Sequence, residues 1–321
     1  MAPTAEAKKP TPLYQDVDGF RIPGMFSADA YRSAIAYKPR SDDLFIVTYP
    51  KCGTTWVQHI IGCIFRKGQT FTSFTEFLME TPFLEMTGAE AAHTMKRPGA
   101  IKFHLPFYLT PYSPEAKYIF VARNPKDCLV SFYHHTENIP GYQFTGGDFD
   151  DFFELFIEGK TDFGDYFDTL LSWYEHRNDP NVLFITYEQL KKDTKTYILK
   201  IAEFMGSNYR EMLESDEQIL KDVIHHSSFK YMKETSNKSM AEMSSLPKEF
   251  IENNPDIPPG LRDLLLKPIF HTEPTNVNFV RKGIVGDWKN YLSPMQNARL
   301  ERKYRERTMG TDIPSLWKDD M

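Results

Sequence analysis

Three short apolar runs along the chain predict buried β-strands at residues 44–48, 118–122 and 182–186. Each run is continuous rather than alternating, which is typical of strands that are covered on both faces. A helical pattern follows each run, so the sequence predicts an α/β fold, a single domain with a central parallel sheet flanked by helices. In such a sheet, ligands bind beyond the carboxyl ends of the strands. The residues that follow each strand are therefore the candidates for chemistry.

Several helices have recognisable boundaries in the sequence. After the second strand, Asn124 is the expected N-cap and Pro125 the first helical residue. Apolar positions at helical spacing predict further helices over about 164–177 and 197–205. Another helix is expected to begin at Ser215, because Ser-x-x-Gln there resembles a capping box.

We expect one domain over residues 15–321, preceded by a flexible tail at residues 1–14. Residues 235–260 are rich in Ser, Asn, Pro and Met and show no clean periodicity. A segment of this kind inside a globular chain indicates either a mobile lid or binding loop, or a plain surface insertion.

Composition narrows the function classes. The 321 residues include 38 Lys+Arg against 44 Asp+Glu, a formal net charge of −6. This balance disfavours broad binding to nucleic acid or to an anionic membrane, which requires a basic surface. Three cysteines (Cys52, Cys63 and Cys128) are too few for a disulfide scaffold and suit a reducing compartment. With no apolar signal segment and no run long enough to span a bilayer, we expect a cytoplasmic protein.

A phosphate-binding loop is predicted between the first strand and its helix, where residues 49–56 read Tyr-Pro-Lys-Cys-Gly-Thr-Thr-Trp. Gly53 allows the backbone to approach an anion, the helix start presents free N–H groups, and Lys51 adds a full charge. The loop is P-loop-like, but it is not a Walker A loop because the lysine precedes the glycine. The alternative is a helix capped by Thr54 beside a surface lysine.

Two other segments offer cations where a second phosphate could bind. Arg123 follows the second strand, and Ser131 lies two turns into the next helix. An Arg at a strand tip suits a phosphate, although a structural ion pair is the alternative. Near the C-terminus, Arg281, Lys282 and Gly283 also favour a phosphate, with a solvated basic turn as the alternative.

Lys102 and His104 are the candidate catalytic pair. In an extended chain they project to the same face. A cation beside a histidine lowers the imidazole pKa and keeps the ring neutral, as a general base requires. The other histidines, such as His59, His134 and His176, are interpreted as helix-surface or capping residues. Three anion-binding elements around one base suit a nucleotide with phosphates at two places, and no metal-ligand cluster is evident.

In order and spacing, four segments resemble the signatures of the cytosolic sulfotransferases, over roughly residues 15–310: YPKCGTTW, KFHLP, FVARNPKD with Ser131, and RKGIVGDW. The resemblance implies transfer of a sulfonate group from 3′-phosphoadenosine 5′-phosphosulfate (PAPS) to a hydroxyl or amine of a small acceptor. The product nucleotide would be 3′,5′-bisphosphoadenosine (PAP), and no metal is required.

The resemblance also assigns roles to matching residues. The 5′-phosphate and the adenine would contact the loop and the start of its helix: Lys51, Cys52, Gly53, Thr54, Thr55 and Trp56. The 3′-phosphate would be held by the two other cationic segments: Arg123, Ser131, Arg281, Lys282 and Gly283. Further nucleotide contacts are implied for Tyr187, Ser227 and Phe229. His104 resembles the catalytic base, Lys102 resembles a stabiliser of the transferring group, and Lys51 would neutralise charge on the leaving phosphate oxygen.

Three positions depart from the family pattern. Cys52 replaces the usual serine, and a thiol at a helix start beside Lys51 predicts a reactive thiolate; an unreactive, buried thiol is the alternative. Pro294 falls within the family's dimer motif, so both a monomer and a dimer stay open. His135 stands where many members have an apolar aromatic residue, which indicates a more polar acceptor pocket.

The acceptor itself is not identified by the sequence. The pocket is expected to include Phe26, Phe83, Phe107, His135 and Tyr142. Phenols, catecholamines and aliphatic alcohols stay open, with small phenolic or catechol amines favoured. Two other functions are weighed: a P-loop-type nucleoside or nucleotide kinase, which needs a lysine after the glycine and a Mg²⁺-binding Asp, and a non-catalytic protein that binds the nucleotide or a phenol.

Overall fold

The computed structural model describes residues 9–244, 246–255, 257–268 and 280–321. Within these residues the chain begins with an antiparallel hairpin of β1 (Tyr14–Val17) and β2 (Phe20–Pro23). The next strands are β3 (Leu44–Thr48), β4 (Ile101–Phe103), β5 (Lys117–Ala122) and β6 (Val182–Thr186). These four form a parallel sheet in the order β4-β3-β5-β6.

Helices connect and cover the strands. In chain order they are α1 (Ala28–Ala36), α2 (Thr54–Phe65), α3 (Phe74–Glu80), α4 (Leu84–Thr87), α5 (Ala89–Thr94), α6 (Pro125–Asn138), α7 (Phe149–Ile157), α8 (Tyr166–Tyr174), α9 (Tyr187–Lys192), α10 (Thr194–Met205), α11 (Ser207–Ser215), α12 (Glu217–His226), α13 (Phe229–Ser244), α14 (Lys248–Asn253), α15 (Pro259–Leu265) and α16 (Pro294–Arg307). Short 3₁₀ turns occur at Phe107–Leu109, Pro140–Tyr142, Asp287–Asn290 and Ile313–Trp317. In the described part of the chain, no helix has both the length and the apolar character that crossing a bilayer requires.

Both faces of the parallel sheet are buried. In β3, Phe45 and Val47 pack into one apolar cluster, and Leu44 and Ile46 pack into a second cluster on the other face. Side chains alternate along a strand, so two covered faces require the continuous apolar run seen in the sequence. Strands β3 and β6 have the predicted bounds, and β5 begins one residue earlier. Strand β4 was not predicted because three residues with Lys102 at the centre leave no apolar run to detect.

The helix expected from Ser215 begins two residues later, at Glu217. Asp216 is its N-cap, and the carboxylate accepts hydrogen bonds from the backbone N–H groups of Gln218 and Ile219. Ser215 instead ends α11 and donates its hydroxyl proton to a backbone carbonyl of that helix. Aspartate is a strong N-cap, so the capping box predicted at Ser215 is wrong.

Residues 235–260 are largely helical where the sequence shows no periodicity. Helix α13 runs to Ser244, α14 follows, and α15 begins at Pro259. Lys, Glu, Met and Ala favour helix by intrinsic propensity even without an amphipathic pattern. The mobility expected of this segment stays a prediction, and Ser245 and Asp256 lie outside the described residues.

At the N-terminus the fold begins before the predicted boundary at residue 15. The Leu13 N–H donates to the carbonyl of Tyr142 across 2.7 Å. Tyr14 pairs with Pro23 in the hairpin. Residues 1–8 of the predicted tail lie outside the described residues.

The segment with the altered dimer motif starts a helix. Ser293 caps α16 through reciprocal hydrogen bonds with Gln296, and Pro294 takes the first helical position. Proline is favoured there because its missing N–H would have no partner within the helix. The oligomeric state stays open.

Candidate active site

The loop between β3 and α2 has two residues in the left-handed backbone conformation. Lys51 and Gly53 both adopt positive φ, at 68° and 105°, and α2 begins at Thr54. A Cβ atom at position 53 would lie only 3.0 Å from the ring of Tyr187. Glycine is therefore required both by the left-handed backbone and by the close approach of Tyr187.

A short hydrogen-bond chain links this loop to His104. The Thr48 hydroxyl lies 2.7 Å from the Thr54 hydroxyl and 3.1 Å from Nδ1 of His104. Nδ1 also lies 2.8 Å from the Thr48 carbonyl oxygen. A carbonyl can only accept, so Nδ1 carries the proton and Nε2 keeps its lone pair. The sheet thus fixes His104 in the tautomer that a base acting through Nε2 requires.

The electrostatics of the site keep His104 neutral. Burial, followed by the neighbouring charge of Lys102, holds the pKa of His104 well below its usual range. Burial also lowers the pKa of Lys102 to about 7 and that of Lys51 to about 8. The Lys102 ammonium lies 3.8 Å from the centroid of the Phe83 ring. The predicted pairing of a neutral imidazole with nearby lysines is present in this geometry.

Arg123 connects the loop to the C-terminal segment. Its guanidinium donates to the carbonyls of Lys51 and Ile284 at 3.0 and 3.3 Å, and it lies over the Tyr187 ring at 4.5 Å. Among the described residues, Arg123 forms no ion pair, and its buried Nε has no hydrogen-bond partner. These contacts oppose the alternative that Arg123 is a structural ion-pair partner.

The C-terminal loop is held by two carboxylates. Asp127 in α6 accepts the backbone N–H groups of Gly286 and Trp288 at 2.7 and 3.1 Å. Asp287 pairs with Lys282 at 2.8 Å and with Arg281. Burial opposes ionisation of Asp287, but the hydrogen bonds from these two cations lower its pKa to about 2. Asp287 thereby orients both cations, while the Lys282 side chain stays 42% exposed to solvent.

Gly283 in the same loop lies against Phe229. Its φ is 62°, and a Cβ atom there would meet the Phe229 ring at 2.2 Å. A side chain at position 283 would therefore displace the ring, so the loop and the start of α13 approach each other only because this residue is glycine.

One cavity of about 620 Å³ brings most of the sequence-predicted residues together. Its lining includes Lys51, Gly53, Thr54, Thr55, Trp56, Lys102, His104, Arg123, Ser131, Tyr187, Phe229, Arg281, Lys282 and Gly283. Four of the expected acceptor residues line it as well: Phe26, Phe83, His135 and Tyr142.

A profile of the family described as Sulfotransferase domain matches residues 41–312. The chain belongs to the sulfotransferase family. Sulfotransferase 1C2 of Rattus norvegicus is 32% identical over 326 residues, which cover 98% of each chain. The Amine sulfotransferase of Oryctolagus cuniculus is 33% identical over 88% of this chain and 85% of its own. Mouse sulfotransferase SULT7A1, whose crystal structure is complexed with PAP, superposes with a TM-score of 0.69 at 29% identity, covering 95% of this chain and 98% of that one.

The family and the α/β fold predicted from the sequence are thereby confirmed. The chain is a sulfotransferase rather than a kinase. In the described part of the chain, no group of three or more His, Cys, Asp or Glu residues is arranged to hold a metal ion.

Three residues that the sequence assigned to the site of this sulfotransferase do not line the cavity. Ser227 is buried at the end of α12 and donates to the carbonyl of Val223 at 2.7 Å. The Phe107 ring stacks on His176 with 3.5 Å between centroids, because the 3₁₀ turn after Pro106 turns it away from the cavity. The side chain of the third residue, Cys52, lies beneath the loop rather than in the cavity lining.

The thiol of Cys52 is fully buried, 3.8 Å from the Cys128 sulfur. Burial, then the hydrogen bond to Cys128, raises the pKa of Cys52 well above its usual range. The predicted reactive thiolate is therefore contradicted, and the alternative of an unreactive buried thiol fits.

The cavity residues that were not found from the sequence include His59, Lys191 and Phe163. His59, interpreted as a helix-surface residue, is buried against Phe77, and burial lowers its pKa to about 4. The Lys191 ammonium lies 5.9 Å from the ring centroids of both Trp56 and Phe229. Its position one helical turn after Tyr187 was the available signal. Phe163 had no sequence signal, since only the fold brings it to His104.

An aromatic enclosure surrounds His104. The rings of Phe83 and Phe163 meet the imidazole edge to face at 4.9 and 5.2 Å between centroids. Phe26 packs on both of these rings at 5.4 and 6.4 Å. Across the cavity, Nδ1 of His135 lies 3.5 Å from the Lys51 ammonium, so a polar group stands beside the enclosure.

Proposed function

We propose that this sulfotransferase moves the sulfonate group of PAPS to a hydroxyl of a small acceptor, with His104 as the general base. One observation carries the proposal: the Thr48 carbonyl binds Nδ1–H of His104, which leaves Nε2 able to take a proton. The same cavity wall presents Lys51 and Lys102. A base and two cations at one place suit the transfer of an anionic group to a neutral acceptor.

The residues present fit an adenosine nucleotide with phosphates at two positions. The rings of Trp56 and Tyr187 pack edge to face at 5.4 Å between centroids, and Phe229 lines the same cavity. These rings would contact the adenine. The buried Nε atoms of Arg123 and of the Trp56 indole have no hydrogen-bond partner within the described residues, as expected of groups awaiting a ligand. The bound PAP of mouse SULT7A1 supports the same class of nucleotide.

The two phosphate ends would be held by separate parts of the chain. Lys51 and the N–H groups at the start of α2 would take the 5′ end, where the helix dipole also favours negative charge. Arg123, Ser131 and the loop of Arg281 would take the 3′-phosphate. The fixed orientation of these cations before binding reduces the entropy that binding must overcome.

The protein's part in the chemistry follows from these positions. When bound, the donor supplies the sulfonate and a phosphate leaving group. Nε2 of His104 accepts the proton of the acceptor hydroxyl as that oxygen attacks. Lys102 faces the transferring group, and Lys51 offsets the charge that develops on the leaving oxygen. The rings around His104 exclude water, which strengthens each of these charge interactions.

The charge of the cavity favours an uncharged acceptor. Among its lining residues that the structure describes, none is acidic. The Phe83 face, which would attract an ammonium group, already contacts Lys102 at 3.8 Å. A protonated amine would therefore meet like charge, so we favour a neutral alcohol or phenol over the catechol amines expected from the sequence. An amine could react only in its uncharged form.

The test is a sulfonate-transfer assay with labelled PAPS and two matched acceptors, 4-ethylphenol and tyramine. They share the phenol and differ by one ammonium group. We expect labelled product from both, with kcat/KM at least about tenfold higher for 4-ethylphenol, since about 1.4 kcal/mol of charge repulsion suffices. Absence of transfer to any acceptor, despite tight PAP binding, would instead indicate a non-catalytic binding protein.

A further inference from the structure

The segment before α4 runs alongside β4 like an additional strand. The Glu80 carbonyl accepts the Ala100 N–H at 3.0 Å, and the Pro82 carbonyl accepts the Lys102 N–H at 2.9 Å. Phe83 and Lys102 form a parallel β-bridge. In a parallel ladder the next N–H to be paired is two residues further on, at His104.

At His104, a side chain supplies the hydrogen-bond acceptor in place of a strand carbonyl. After Phe83 the chain enters α4, where the Leu84 carbonyl accepts the Gly88 N–H at 2.8 Å and is therefore not available to His104. The His104 N–H instead donates to Oε1 of Glu85 at 2.5 Å. Glu85 thus supplies the acceptor that the missing strand would have provided.

Capping an N–H group does not require a charged residue, yet Glu85 is one of the most deeply buried acids in the protein. Its side chain is fully enclosed, and Oε2 has no hydrogen-bond partner in the described ranges. Its charged neighbours include Lys102 from β4, with Lys51 beyond it, and Tyr31 faces it from α1. A neutral glutamine would cap His104 at a smaller desolvation cost.

We propose that Glu85 is a positioning residue for sulfonate transfer, which fixes the backbone of His104 through Oε1 and keeps Lys102 charged through its own negative charge. The proposal rests on the roles proposed above for His104 and Lys102. It explains why an acid, rather than an amide, stands beneath the end of β4.

The electrostatic part follows from burial. Burial raises the pKa of Glu85 to about 8, and the charge of Lys102 opposes this rise. Burial lowers the pKa of Lys102 to about 7, and the charge of Glu85 opposes this fall. Each group therefore favours the ionised form of the other. Without the carboxylate, Lys102 would lose its proton at a lower pH.

The decisive variant is Glu85→Gln, which keeps an oxygen for the His104 N–H and removes the charge. We expect PAP affinity within about threefold of wild type. The alkaline fall of kcat should begin at a lower pH in the variant than in wild type. A fall of one unit in the pKa of Lys102, which lies near 7, would lower kcat by about tenfold at pH 8 but only by about twofold at pH 6. Glu90→Gln, on the exposed surface of α5, is the matched control and should leave the profile unchanged.

A second variant tests the same idea independently of how Glu85→Gln folds. In Lys102→Arg the guanidinium stays charged throughout. With an acceptor that does not titrate between pH 6 and 9, the alkaline fall of kcat should therefore move upward, to the pH range in which Lys51 loses its proton. An alkaline fall that stays at the wild-type pH in Lys102→Arg overturns the proposal. So does a Glu85→Gln profile that superimposes on wild type, or one lowered equally at every pH. Full activity of His104→Ala would instead contradict the proposed function, whatever Glu85→Gln shows.

Discussion

Thr48, the last residue of β3, decides which nitrogen of His104 carries the proton. Its carbonyl accepts from Nδ1, and its hydroxyl contacts Thr54 at the start of α2. One residue thereby joins the imidazole of His104 to the loop between β3 and α2. The sequence identifies His104 as a candidate base, but the tautomer depends on a contact between residues 56 positions apart.

Cys52 shows how burial overrides local charge. A helix dipole contributes about 0.3–1 kcal/mol at an exposed terminus. Full burial can shift a pKa by about 3–5 units, with about 1.36 kcal/mol for each unit. The sequence displays Lys51 and the helix start but not the fully enclosed thiol beneath them. The predicted thiolate failed because the larger effect is not visible in local sequence.

At the same scale, Arg123 and Ser131 should discriminate between nucleotides. We expect Arg123→Ala and Ser131→Ala to weaken PAP binding more than 5′-AMP binding, because both side chains are assigned to the 3′-phosphate. Hydrogen bonds to charged groups contribute about 1.5–3 kcal/mol, so Arg123→Ala should raise the Kd for PAP by about 10- to 100-fold. Calorimetry with both nucleotides is the measurement.

Arg305→Ala serves as the control, because Arg305 is exposed on α16. Equal losses for PAP and 5′-AMP in the Arg123 and Ser131 variants would show that neither residue reads the 3′-phosphate.

At the scale of elements, the continuous apolar strands were the elements that the sequence predicted best. Strands β3, β5 and β6 are covered on both faces and appear as apolar runs. Strand β4 is too short to appear, and its Lys102 and His104 were found through their chemistry instead. Polar helices such as α13 were missed, since their apolar positions have no clear period.

Helix α6 contributes to the position of the C-terminal loop through Asp127. Asp127 in α6 accepts two backbone N–H groups of that loop without lining the cavity. Asp127→Asn places an amide N–H against one of these donors, and an unsatisfied buried group costs about 1–3 kcal/mol. We expect PAP affinity to fall by about tenfold, with a smaller change for 5′-AMP.

Asp151→Asn is the matched control, since Asp151 also lies in the first turn of a helix and, among the described residues, pairs with the exposed Lys9. Unchanged PAP affinity in Asp127→Asn would mean that the loop is positioned by other contacts.

At the scale of the whole molecule, the site gathers residues from position 25 to position 284 into one cavity. Motifs gave the proposed nucleotide-binding residues, because most of them stand beside a strand or helix end. Aromatic residues of the acceptor end have no such position. Phe107 was therefore misplaced, and Phe163 was missed, since only tertiary packing decides which rings face His104.

The central claim is that His104 is the base and is not needed for nucleotide binding. The most direct measurement compares His104→Ala with wild type and with His93→Ala, a variant of an exposed histidine in α5. We expect His104→Ala to bind PAP within a few-fold of wild type by calorimetry, which also shows that the fold is intact. Its kcat should fall by at least about 10²-fold, the usual loss for a general base, while His93→Ala keeps full activity. Normal PAP binding together with near-wild-type turnover in His104→Ala would contradict the account.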